Sequence, residues 1–264
     1  MTVSTSAVSS ASRAESRRFD CIAFDWDGTL FDSTAIIVRS IQAAVAEVGG
    51  TVPSDKEAAY VIGLGLMQAL AHAAPDVPED KYPALGEAYK RHWSLHVDDI
   101  SLFEGTLPML TSLRERGHRL AVATGKSRRG LDEVFARVQG NAKLGDWFDT
   151  SRTADETAGK PHPQMLLELM EELDVPPERM LMIGDTTHDL LLARNAGGAI
   201  RRSIIDQQHF VIGIVLYEQG VQVCSQSFVK AFAGSDHRCK WCEVRLPFCH
   251  LLSKIVEILD PAAK

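Results

Sequence analysis

Three short apolar runs, each ending in a polar residue, limit what this chain can fold into. They are Cys21-Ile22-Ala23-Phe24, Leu120-Ala121-Val122-Ala123 and Met180-Leu181-Met182-Ile183. Each has the length and boundaries of a buried strand. Helical patterning lies between them, and strands alternating with helices imply right-handed crossovers and a parallel sheet. The expected class is therefore α/β, a parallel sheet with helices on both faces. Ligands of such sheets sit beyond the carboxyl ends of the strands. Asp25, Thr124 and Asp185 each lie just past such an end.

The first run continues as Asp25-Trp26-Asp27-Gly28-Thr29-Leu30. Two carboxylates this close repel unless a cation or a shared proton relieves them. Mg²⁺ takes a few hard oxygens together with phosphate oxygens and suits the position. One carboxylate can then attack while the other transfers protons. The plainer reading is a helix N-cap or Asx-turn, for which Asp-Gly-Thr is good chemistry.

The other two strand ends add complementary groups. Thr124 offers a hydroxyl, and the backbone N–H groups beside it, at Gly125, suit a phosphate oxygen. Thr124-Gly125-Lys126-Ser127 also looks like the tail of a P-loop, but Leu120 stands where the upstream glycine belongs. Nucleotide cradling is set aside on that ground, and Lys126 is read as solvated. Lys160, before Pro161, offers a point charge to a phosphate and to the nucleophile; a plain surface lysine has the same signature. Asp185 joins Asp25 and Asp27 as a hard-oxygen donor for one Mg²⁺. Asp189 reads equally well as a carboxylate favoured by a helix N-terminus. The set fits in-line phosphoryl transfer, where positioning and charge neutralisation do most of the work.

The stretch between the first two runs has another character. Ile36, Ile37, Ile41, Ala44, Val45 and Val48 recur at helical spacing and stop at Gly49-Gly50. Ser54 and Glu57 have capping-box spacing. Gly63-Leu64-Gly65 reads as a turn between helices, and Tyr82, Leu85, Tyr89, Trp93 and His96 fall on a further helix. Residues 33–100 are thus expected to be all-helical. His72, His92 and His96 lack partners at metal-ligand spacing and read as surface or half-buried side chains. Further on, Trp147-Phe148-Asp149 is a candidate short strand.

The ordered motifs carry a resemblance. Phe24-Asp25-Trp26-Asp27-Gly28-Thr29-Leu30, the strand ending in Thr124-Gly125, Lys160-Pro161 and Gly184-Asp185-x-x-x-Asp189 resemble the four motifs of the haloacid dehalogenase-like hydrolase superfamily. The likeness runs from about Phe19 to Gly198. It implies a Rossmann-like hydrolase core over 19–32 and 101–199. Residues 33–100 look like the α-helical cap of the phosphoglycolate phosphatase and β-phosphoglucomutase branch, with Ile62-Gly63-Leu64-Gly65-Leu66 where cap residues face substrate. The resemblance further implies that Asp25 attacks phosphorus and becomes an aspartyl phosphate. Asp27 would protonate the leaving alcohol and then activate water. Mg²⁺ would be held by an Asp25 oxygen, the Asp27 backbone carbonyl and Asp185, with Asp189 supporting that shell. Thr124, Gly125 and Lys160 would hold the phosphate. The implied activity is hydrolysis of a small organic phosphate monoester, 2-phosphoglycolate being the leading candidate. A sugar phosphomutase or a non-catalytic binding protein with an altered C-terminus remain the alternatives.

Beyond Gly198 the chain departs from that pattern. A strand-like run appears only at Phe210–Tyr217, the segment 200–264 is atypical, and the sheet edge is open. His237, Cys239, Cys242, Cys249 and His250 could hold zinc, though their spacing also suits incidental thiols. Residues 1–18, rich in Ser and Ala with Arg13, Arg17 and Arg18, read as a disordered tail, with a transit peptide as the alternative. Five cysteines with a long cysteine-free middle indicate a reducing compartment, hence a cytoplasmic location. A net charge of −7 argues against general polyanion binding, so no nucleic-acid partner is expected. No apolar run is long enough to span a bilayer, so no membrane partner is expected either. Oligomeric state is not readable.

Overall fold

The structure is a computed structural model that describes residues 19–197 and the backbone of 213–215. The tail 1–18, the rest of 198–264, and with it the cysteine and histidine cluster, lie outside the described residues.

The elements run β1 (Cys21–Phe24), α1 (Thr34–Val48), α2 (Asp55–Tyr60), α3 (Leu66–Ala73), α4 (Tyr82–Ser94), α5 (Thr106–Glu115), β2 (Arg119–Thr124) and α6 (Arg128–Phe135). There follow β3 (Val138–Gln139), β4 (Ala142–Lys143), β5 (Thr150–Thr153), α7 (Gln164–Glu172), β6 (Met180–Gly184), α8 (Thr187–Asn195) and β7 (Gly213–Val215). Strand order is β5-β2-β1-β6-β7, with β3 and β4 forming a separate small hairpin. β1 pairs in parallel with β2 and β6, and β2 with β5. The edge is different: β7, drawn from the expected Phe210–Tyr217 run, is antiparallel to β6. An antiparallel strand on an otherwise parallel sheet is a common edge.

Both sheet faces are covered, as strands buried on two sides require. Ile22, Phe24, Leu120, Val122, Leu181 and Ile183 pack on one face with Met109, Leu110 and Leu113 of α5 and Leu131 and Val134 of α6. Cys21, Ala23, Ala121 and Met182 pack on the other with Met165, Leu166 and Leu169 of α7 and Leu192 of α8. Alternation of side chains along each strand divides the two sets.

One expected strand is displaced. Leu144–Trp147 form a 3-10 turn, and the strand begins at Thr150. Phe148 is turned inward instead, stacked on Phe135 at 5.5 Å and edge-on to Trp26 at 5.9 Å. Asp149 accepts a hydrogen bond from the Leu120 N–H at 2.7 Å. Burial of the aromatic face outweighs strand propensity there.

The segment between β1 and α5 holds four helices and its own hydrophobic cluster, with Ile41, Val45, Leu70 and Leu85 at its centre. The capping box expected at Ser54 and Glu57 opens α2. The two ends of this helical insert lie side by side. The Asp32 N–H donates to the Ser101 carbonyl and the Phe103 N–H to the Leu30 carbonyl, both at 3.0 Å.

Candidate active site

Register brings the predicted groups together. Phe24 stands opposite Val122 in β2 and Ile183 in β6. The chain therefore leaves β1 at Asp25 beside the ends of both neighbours, at Thr124 and Asp185.

A tight loop follows Asp25. The Leu30 and Phe31 N–H groups both donate to the Trp26 carbonyl at 3.0 Å. Gly28 has φ +82, and a Cβ there would collide with Asp185 Oδ2. Only glycine allows this backbone and this approach at once. Thr29 Oγ1 donates to Asp185 Oδ1 at 2.9 Å and orients that carboxylate.

Lys160 is fully buried and donates to Asp25 Oδ1 and Asp189 Oδ1, both at 2.6 Å. Asp189 Oδ2 accepts from the Thr186 N–H at 3.1 Å and from Thr186 Oγ1 at 2.6 Å, completing a capping box at the start of α8. Asp189 thus closes a helix, as one reading of the sequence had it, and the same carboxylate also holds a lysine. Asp25 Oδ2 is buried with no hydrogen-bond partner.

Asp25, Asp185 and Asp189 each offer an oxygen within 4.8 Å of the others. Three carboxylates share one ammonium, which touches Asp25 and Asp189 only, and the imbalance shows in the proton affinities of Asp25 and Asp185. Burial pushes Asp25 up to about 7, with Asp189 and Asp27 adding to the rise and Lys160 opposing it. Burial, then the charges of Asp25 and Asp189, push Asp185 well above the carboxylate range. For Lys160 burial acts downward, but the two carboxylates outweigh it and raise the ammonium above its ordinary value. An unpartnered buried oxygen amid excess negative charge fits a hard divalent cation such as Mg²⁺.

The Asp27 carboxylate lies outside that cluster. Its Oδ1 accepts from Ser33 Oγ at 2.7 Å, and its Oδ2 pairs with Lys126 Nζ at 3.0 Å. Lys126 also sits 4.8 Å from the centre of the Trp93 ring on α4. The expectation of a solvated Lys126 is thus overturned: an opposite charge and an aromatic face compensate its partial burial. Tyr89 stacks on Trp93, and burial with the Asp27 charge raises its phenol above the ordinary range. Thr124 is buried, its Oγ1 accepting from the Lys126 N–H at 3.2 Å.

The insert reaches this edge through the turn 63–65. A Cβ on Gly125 would lie 2.5 Å from the carbonyl oxygens of both Gly63 and Leu64. His188, in the first turn of α8, meets the Tyr60 carbonyl at 2.9 Å through Nε2. The sequence reading did not count Ser33, Lys126, Trp93 or His188 among the site residues. His72, His92 and His96 take separate partners: the Gln68 carbonyl, Glu47 and Asp99.

Residues 22–200 match the haloacid dehalogenase-like hydrolase family. The chain belongs to that family. Among its relatives, the probable phosphatase IndB of Dickeya dadantii (strain 3937) is 34% identical over 186 residues, 67% of this chain and 78% of that protein. Pyrophosphatase PpaX of Bacillus cereus (strain B4264) is 27% identical over 182 residues, 68% of this chain and 81% of the relative. A Lactobacillus plantarum structure assigned as a phosphoglycolate phosphatase shares the hydrolase fold. Its TM-score is 0.60 at 24% identity, with 69% of this chain and 84% of that one covered.

Proposed function

We propose that this hydrolase is a Mg²⁺-dependent phosphatase of the phosphoglycolate phosphatase type. It cleaves a small organic phosphate monoester through an aspartyl phosphate on Asp25. The observation that carries the reading is the buried Asp25, one oxygen held by Lys160 and the other unpartnered.

An Asp25 oxygen forms the new bond to phosphorus as the bond from phosphorus to the leaving oxygen breaks. Asp27 gives its proton to that leaving oxygen. Asp27 then takes a proton from a water whose oxygen attacks the aspartyl phosphate, which releases phosphate and restores the Asp25 carboxylate. Thr124, Gly125 and Lys160 hold the phosphate oxygens. Asp25 and Asp185, with the Asp27 backbone carbonyl, would hold the Mg²⁺, and Asp189 supports them. When bound, the ion offsets the negative charge of carboxylates and phosphate. Residues 33–100 act as a cap that excludes water over a core of 19–32 and 101–199. The thiol pattern and net charge favour a cytoplasmic enzyme acting on a metabolite rather than on nucleic acid.

Phosphate release from a panel of small phosphate esters, with Mg²⁺ and with chelator, tests the reading. Metal-dependent release is expected, reduced on the order of 10³-fold or more in a folded Asp25→Asn variant. Turnover that survives that substitution removes Asp25 as nucleophile.

A further inference from the structure

Lys126 stands in a position that the reaction above leaves unused. It lies on the loop after β2, one residue past the proposed phosphate-binding pair Thr124-Gly125. Its side chain is only 13% exposed, and that of its partner Asp27 only 11%. Trp93 covers it from the helical insert at 4.8 Å. An aromatic face favours a cation but supplies no countercharge, so the ammonium depends on the Asp27 carboxylate.

That pairing conflicts with the proton transfer assigned to Asp27. The Asp27 oxygen Oδ2 is taken up by the Lys126 ammonium at 3.0 Å and is not open to a leaving oxygen. The other oxygen is already engaged by Ser33 Oγ at 2.7 Å. Lys126 must therefore leave Oδ2 before Asp27 can serve the leaving oxygen. A half-buried ammonium leaves one anion at little cost only for another.

We propose that Lys126 is the specificity-determining residue for a second anionic group on the substrate. In the free protein Lys126 holds Asp27. On binding, a carboxylate or second phosphoryl group, a few bonds from the phosphorus attacked, takes the ammonium over and frees Asp27 Oδ2. Recognition of the far end of the substrate and release of the acid are then one event. The favoured class is a phosphate ester or anhydride with such a second charge, and esters with a neutral far end leave Asp27 engaged. This inference rests on the phosphatase reading and narrows its substrate.

The test compares three substrates with Mg²⁺ present: 2-phosphoglycolate, pyrophosphate, and 2-hydroxyethyl phosphate, whose far end is a neutral alcohol. The wild-type enzyme is expected to prefer at least one of the first two over the third in kcat/KM by about tenfold or more. Lys126→Met should reduce that preference by a similar factor, chiefly through KM, and Lys126→Arg should restore part of it. Which of the first two loses more identifies the carboxylate or the phosphoryl group as the natural anion. Equal loss on all three substrates assigns Lys126 a structural role and overturns the proposal. So does a wild-type enzyme with no preference for a second charge, a result that needs no variant to fold. Hydrolysis of none of a wide ester panel instead defeats the phosphatase reading, and this proposal with it.

Discussion

The site has two lysines, and they are held in opposite ways. Lys160 is fully buried, with two carboxylate partners at 2.6 Å, each 1% exposed. Asp25 follows β1, Asp189 lies in the first turn of α8 and Lys160 precedes α7, so every member of that triad belongs to the sheet and the helices packed on it. Lys126 retains some exposure and has one carboxylate at 3.0 Å, and its other neighbour is Trp93 of the helical insert. The first arrangement depends on the sheet and the segments that flank it, including the capping box of α8. The second depends on where the insert sits. The Asp25 half of the site is thus preorganised, whereas the Asp27 half is completed by a separate layer with its own hydrophobic cluster. Preorganised charge suits the invariant part of a phosphoryl transfer, and an adjustable charge suits the part that varies with substrate.

Lys160→Met should produce the largest effect. It strands buried carboxylates without their cation, a change that costs about 3–5 kcal/mol. Denaturant unfolding in chelator should show that loss, and turnover should fall to background. Lys126→Met should cost well under half as much in the same measurement, because its pair is partly screened by solvent. Equal losses would erase the distinction between the two halves.

Gly125→Ala probes the contact between layers. Its Cβ would lie 2.5 Å from two carbonyl oxygens of the insert, too close for either side to absorb without moving. The turn 63–65 is expected to lift from the core. The expected result is a fall of at least tenfold in kcat/KM, with a stability loss of about 1–3 kcal/mol, smaller than that of Lys160→Met. Unchanged kinetics would mean that the insert does not need this contact during turnover.

The Asp25 half was legible in the sequence because its residues follow apolar runs whose period fixes where strands end. Asp25, Thr124 and Asp185 needed only the rule that parallel strands share a carboxyl edge. The Asp27 half was not legible. Lys126 next to Ser127 and Arg128 looks like any solvated cation, and nothing local indicates that Trp93, on a helix of another layer, will cover it. The same blindness to side-chain packing moved the strand expected at Trp147-Phe148-Asp149, where Phe148 turned out to serve the aromatic cluster with Phe135 and Trp26. Backbone periodicity is a property of neighbours in sequence; cation–aromatic and aromatic–aromatic contacts are not.

A pH series isolates the charge imbalance of the preorganised half. In metal-free protein, burial and the neighbouring carboxylates raise Asp25 to about 7, from about 3.9 in an unfolded chain. Between those values the folded state binds more protons than the unfolded state, so stability falls as pH rises through that window and levels off above it. Asp185, raised in the same direction by burial and by the charges of Asp25 and Asp189, adds to the fall. Glu156 has the opposite sign. Arg128 holds it down to about 2, so its contribution is present above its unfolded value and is lost as pH falls through about 2, outside the range tested. Asp25→Asn removes one repelling charge while Lys160 keeps Asp189. In chelator its melting temperature should lie closer to that of wild type at pH 4.5 than at pH 8, where it should exceed it by several degrees, at about 2–4 °C per kcal/mol for a chain of this size. Added Mg²⁺ should shrink the difference at pH 8 by supplying the missing positive charge to the wild-type protein. A difference between the two proteins that does not grow with pH would mean that Asp25 bears no excess repulsion, and the contrast between the two halves of the site would then lie in geometry alone.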